Sequence, residues 1–165
     1  RVPTLVMDDG AALVETLAIL DALDELAGDE RRLSPKSGPA RRRVLQGCAL
    51  AGGAAEKMVA LVYESAVHDR ATPSWEQRCR AQIEGVLDRL EAGAAERTGR
   101  WLEGERLTHA DIAVATALTF MGDAVPELSD PARWTNLQSL RDACESMSAF
   151  SDHYRSFLAP PPRST

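Results

Sequence analysis

The sequence has little that could act as a covalent or metallic staple. Its three cysteines, Cys48, Cys79 and Cys144, are an odd number, widely spaced and without a C-x-x-C pair. That pattern indicates neither a disulfide framework nor a zinc site, and it fits a reducing, cytoplasmic setting. The histidines, His68, His109 and His153, stand far apart with no acidic or Cys companion at ligand spacing, so each reads as a surface group or a local hydrogen bond and no metal is expected. Basic residues are outnumbered, 19 Lys and Arg against 25 Asp and Glu, for a formal charge of −6. Phosphate binding needs Lys and Arg clustered on one face, so nucleic acid is not an expected partner. The one basic run, Arg41-Arg42-Arg43, follows Pro39 where a helical pattern starts and reads as a solvated first turn. No apolar run approaches the roughly 18 residues needed to cross a bilayer. The opening residues also lack the basic-then-apolar order of a signal peptide. The expectation is a soluble protein without a membrane partner.

What is present is enough apolar residue, 44% of 165, for a real core. Thr4 to Met7 is a short β-rich run, Asp8-Asp9-Gly10 is a hairpin-type turn, and Ala11 to Val14 can return as a second strand. Leu17, Ile19, Leu20, Leu23 and Leu26 then fall mainly on one helical face, with Gly28 placed to stop the helix. A hairpin with one helix is too small to be stable alone. Either this corner leans wholly on the rest of the chain or, as is expected, a further N-terminal portion precedes Arg1, so that the intact protein exceeds 17.9 kDa by several kilodaltons.

Residues 29–39, with Ser34-Pro35-Lys36-Ser37-Gly38-Pro39, read as a linker, and from Ala40 the pattern is helical. Val44, Leu45, Cys48, Ala51, Ala55, Met58, Val59, Val62 and Ala66 repeat at helical spacing, and Gly52-Gly53 with many alanines would let a neighbouring helix approach closely. Residues 69–74 break that helix. Pro73 then sits just before a second amphipathic segment whose buried stripe would be Trp75, Cys79, Ile83, Val86, Leu87 and Leu90. Leu107 to Met121 leaves almost no polar face, the mark of a central helix. Helical stretches near Trp134 to Glu145 and Ala149 to Leu158 follow, and Pro160-Pro161-Pro162 ends the order. The domain plan is therefore 1–28, a β-β-α unit; 29–39, a linker; 40–159, an all-α domain; and 160–165, a disordered tail.

Two local motifs carry chemistry. Thr108-His109-Ala110-Asp111 is a capping box opening the central helix, and its carboxylate reads as structural rather than catalytic. Glu15-Thr16 stands at the N-terminal end of the first helix, where unpaired amides and the dipole favour an anion, and plain N-capping is an equal reading. Val2-Pro3 upstream adds weight to the anion reading, since a cis bond there would turn the backbone N–H and C=O of Val2 outward, toward a peptide-like ligand.

The chain resembles the soluble glutathione S-transferases, bacterial ones among them. Val2-Pro3-x-Leu5-Val6-x-Asp8-Asp9-Gly10, then Leu13-x-Glu15-Thr16-x-Ala18-Ile19-Leu20, looks like the second half of that family's thioredoxin-like domain. Trp101-Leu102-x-Gly104-x-x-Leu107-Thr108-x-Ala110-Asp111-Ile112-Ala113 looks like its helical-domain signature. The resemblance implies a mostly α fold, an all-helical C-terminal domain preceded by the β-β-α half of a thioredoxin-like α/β domain. It implies glutathione as co-substrate, with Val2 meeting the cysteinyl backbone across cis-Pro3, and with Glu15 and Thr16 holding the γ-glutamyl carboxylate and amine. The other expected partners are a small hydrophobic electrophile and a second copy, paired through the first helix and the helix after Pro39. Met58, Val62, Tyr63 and Ala66 read either as ordinary core or as part of the substrate pocket. The family's first β-α-β segment, with the group acting on the glutathione sulfur, has no counterpart here, so no catalytic residue is named. Two functions stay open: a glutathione transferase, or a non-catalytic binding or interaction protein of the same fold.

Overall fold

The computed structural model describes residues 2–67 and 72–158, and His68, residues 69–71 of the expected helix break and the triple proline lie outside that range. Strand β1 (Thr4–Val6) pairs antiparallel with β2 (Ala12–Val14), with Leu5 opposite Leu13. The turn between them closes through the Met7 amide donating to the Ala11 carbonyl at 2.8 Å, with Gly10 supplying a φ of 88°. That is a conformation only glycine takes without steric cost. Helix α1 (Thr16–Ala27) follows directly and ends at Gly28, φ 75°.

The rest of the described chain is helical. Helix α2 (Gly38–Val67) starts two residues inside the segment read as linker, because Pro39 is accommodated in a first helical turn. Next come α3 (Pro73–Ala95) and α4 (His109–Ala124). A single 3-10 turn (Pro126–Leu128) leads to α5 (Thr135–Glu145). Helix α6 (Ser148–Ser151) is only four residues long, where the sequence suggests a stretch reaching Leu158. Asp123 intercepts it: its carboxylate accepts from the Tyr154 hydroxyl at 2.9 Å and the Phe157 amide at 3.1 Å, holding the chain extended beside α4.

The core joins α4, packed on α2 and α5, with α3, which packs on the same two helices. Its largest fully buried side chains include Met58, Ile83, Leu87, Leu137 and Leu140. The buried line of α2 runs through Ala54 and Leu61, which the sequence stripe passes over, whereas Val59 is 39% exposed. Trp75 is also largely at the surface, 37% exposed, with the Lys57 ammonium 5.4 Å from its ring centroid. The close helix approach falls not at Gly52-Gly53, which face open space, but at Gly47, where an added Cβ would lie 2.8 Å from that of Ala110.

Candidate functional site

Register brings the sequence-derived residues together. Thr4 pairs with Val14, so Val2-Pro3 and Glu15-Thr16 lie at the same end of the two-stranded ribbon, where α1 begins. The Val2–Pro3 peptide bond is cis and Val2 is exposed. Glu15 occupies the N-cap position of α1 at φ 78°, and its side chain makes no capping hydrogen bond to the helix. The helix therefore presents its first amides without side-chain caps, which is the arrangement an incoming anion can use.

The opposite end of α1 carries a feature the sequence reading missed. Asp24 is the one buried residue of this helix, 3% exposed. Its carboxylate accepts the amides of Leu33 at 2.7 Å and Ser34 at 3.0 Å, and it meets Nε2 of His109, at the start of α4, at 3.1 Å. Burial pushes the Asp24 carboxyl up. The Leu33 amide, the His109 ring and Ser34 pull it further down, below the usual carboxylate range. An ionised carboxylate only accepts, so Nε2 of His109 carries the proton in this contact. The backbone amide of His109 donates to the Leu33 carbonyl at 3.4 Å, and the Arg41 guanidinium reaches Asp21 at 2.6 Å. The segment read as a linker is thus clamped between α1 and α4, and Arg41, tied to Asp21, belongs to that clamp rather than to a solvated turn. The signal in the sequence was a lone carboxylate at i+4 from Leu20 and i+7 from Leu17, on an otherwise apolar stripe.

The capping box at α4 is present as expected. Asp111, fully buried, accepts the Thr108 amide and hydroxyl, both at 2.8 Å, and the Leu102 amide at 2.8 Å. A carboxylate so enclosed holds loop and helix together. Met58 and Val62 are core, and Tyr63 is exposed. All three cysteines are free and buried. Burial pushes the Cys48 thiol up to about 11 and Cys144 up to about 12, with the Asp111 charge adding in both cases, so neither is a nucleophile at neutral pH. Among the described residues, no cluster of three His, Cys, Asp or Glu could hold a metal, and no helix is long and apolar enough to cross a membrane.

A two-stranded ribbon and helix with a cis-proline at its mouth is followed in the chain by a helical bundle. Residues 73–143 match the family described as glutathione S-transferase, C-terminal domain. That match spans α3, α4 and most of α5, and the chain has the fold of bacterial glutathione S-transferases. It is similar to a glutathione S-transferase from Methylobacillus flagellatus solved with glutathione bound, at 25% identity and TM-score 0.85, over 92% of this chain and 74% of the other. A glutathione S-transferase from Methylobacterium radiotolerans in complex with glutathione sulfonate matches at 28% identity and TM-score 0.82, over 100% of this chain and 74% of that one. A glutathione transferase family member from Pseudomonas fluorescens with bound S-(propanoic acid)-glutathione matches at 28% and 0.81, over 99% of this chain and 78% of that one. No curated protein sequence matches the chain.

Proposed function

We propose that this chain binds glutathione at the mouth of its hairpin and belongs to an enzyme that transfers the glutathione thiolate to a small hydrophobic electrophile. The observation that carries this is the register of the ribbon, which sets Val2-Pro3 beside Glu15-Thr16 at the uncapped start of α1. Three structures of the same fold hold glutathione or a glutathione derivative, which supports the choice of ligand. In this reading the backbone of Val2 meets the cysteinyl unit. Thr16, through its hydroxyl and amide, receives the γ-glutamyl carboxylate, while Glu15 meets the amine. Binding in this cradle would orient the thiol for attack. No residue of this chain is assigned to activating the sulfur, and the setting would be cytoplasmic.

Calorimetric titration with reduced glutathione tests the site. The Glu15→Ala/Thr16→Ala double variant is expected to bind at least about tenfold more weakly, since it loses charge-assisted contacts worth roughly 1.5–3 kcal/mol each. Equal binding by both proteins removes the assignment.

The same proposal makes the protein a homodimer through α1 and α2. Exposed Leu23 and Leu26 on α1 offer the apolar surface for it. Light scattering is expected to give twice the mass of one chain, and a single-chain mass at working concentration counts against the pairing.

A further inference from the structure

Helix α1 is held on the helical domain in an unusual way. Leu17, Leu23 and Leu26 are exposed, Ile19 and Leu20 are only half-buried, and the residue it buries is a carboxylate. Among neighbouring elements it packs chiefly on β2 rather than on the bundle. Little apolar area therefore fixes its rotation or height. What does fix them is directional: Asp24 reaching Leu33, Ser34 and His109, and Asp21 reaching Arg41. Of the two, the Asp24 contact is the one removed from water, with both partners less than a tenth exposed. A buried charge left without its donors is costly, so the pair constrains geometry strongly.

A helix transmits such a constraint along its axis. Asp24 and Thr16 are eight residues apart on α1, about 12 Å along a rigid rod. We propose that Asp24 and His109 are positioning residues for the glutathione site, the buried pair setting α1 on the helical domain and thereby the placement of Glu15 and Thr16 at the other end. This rests on the glutathione reading given above. The helical domain, which supplies none of the residues assigned to the γ-glutamyl group, then contributes to glutathione affinity through His109.

The test is titration of the full chain with reduced glutathione for wild type, His109→Leu, His109→Gln and Asp24→Asn. Glutamine places an amide N–H close to where Nε2–H stands, whereas leucine leaves Asp24 without that donor. His109→Leu is expected to raise Kd about tenfold, a coupling of ordinary size between two sites, and His109→Gln to stay within about twofold of wild type. Asp24→Asn turns an amide group onto a backbone N–H and is expected to weaken binding as His109→Leu does. It also serves if the leucine variant fails to fold. The three tryptophans, Trp75, Trp101 and Trp134, all lie in the helical part. Their unfolding midpoint is thus a readout of that domain alone, and it is expected to move little in His109→Gln. Wild type that binds while His109→Leu and Asp24→Asn bind equally well overturns the proposal. So does equal weakening by leucine and glutamine, which would assign the effect to ring packing. Wild type that does not bind glutathione overturns the underlying reading, and this proposal with it.

Discussion

Replacing Asp111 by alanine is expected to remove about 3–4 kcal/mol of stability, a large share of the roughly 5–15 kcal/mol that holds a domain folded. The side chain is fully buried and accepts three hydrogen bonds at 2.8 Å, from the Thr108 amide, the Thr108 hydroxyl and the Leu102 amide. Alanine leaves two amides without acceptors, that of Thr108 buried and that of Leu102 partly buried, at about 1–3 kcal/mol each, and opens the N-terminus of α4, which packs on α2 and α5. Asp111→Asn retains one acceptor oxygen but turns an N–H₂ toward one of the amides, so about half the loss is expected. Urea unfolding followed by tryptophan emission measures both. Trp101 adjoins Leu102 and is itself buried. A loss below about 1 kcal/mol for Asp111→Ala would mean that the capping box is incidental to stability.

The second large effect comes from a residue with no side chain. Gly99 lies against Gly104, and a Cβ at position 99 would stand 2.5 Å from the Gly104 carbonyl carbon and 2.6 Å from its oxygen. Neither strand of this small loop is free to retreat. Trp101 and Gly104 exchange backbone hydrogen bonds at 2.9 and 3.2 Å, and the Trp101 ring is seated in the core under the Arg100 guanidinium. Gly99→Ala is therefore expected to destabilise by about 2–3 kcal/mol, as overpacking against backbone does, even after alanine's smaller unfolded-state entropy returns about 0.4–1 kcal/mol. Gly93, inside α3 with nothing within 4 Å of an added Cβ, is the control. There alanine is expected to stabilise by about 0.5–1 kcal/mol. Denaturant midpoints of the two variants moving in the same direction would contradict the account.

Much of this architecture could be read from local pattern. Asp8-Asp9-Gly10 marks the turn, Gly28 the end of α1, and Thr108 with Asp111 the start of α4, because each depends on backbone chemistry within four residues. Where burial depends on distant partners, the pattern was less informative. In α2, alanine occurs on every face, so Ala54 and Ala55 look alike until α4 is placed, and Val59 projects to solvent although it is as apolar as Val62. Trp75 is another such case, a large ring on the first turn of α3 lying under Lys57 rather than in the core. The end of α6 was not legible because Asp123, more than twenty residues earlier, decides it. At the candidate site, Glu15 and Thr16 are adjacent in sequence and their association with Val2-Pro3 needed only one tight hairpin. The Asp24–His109 contact joins residues 85 positions apart, and no spacing rule reaches that far.

Glu15 carries a tension of its own. Its φ of 78° lies in the left-handed region, where a residue with a Cβ costs the fold about 1–3 kcal/mol. Glycine would be the more comfortable occupant. Backbone comfort and side-chain chemistry are therefore opposed at this one position, since the conformation that sets the carboxylate at the start of α1 is one that glycine takes at lower cost. The chain is, in that sense, slightly less durable than its own backbone would permit, at the residue through which it would meet its ligand.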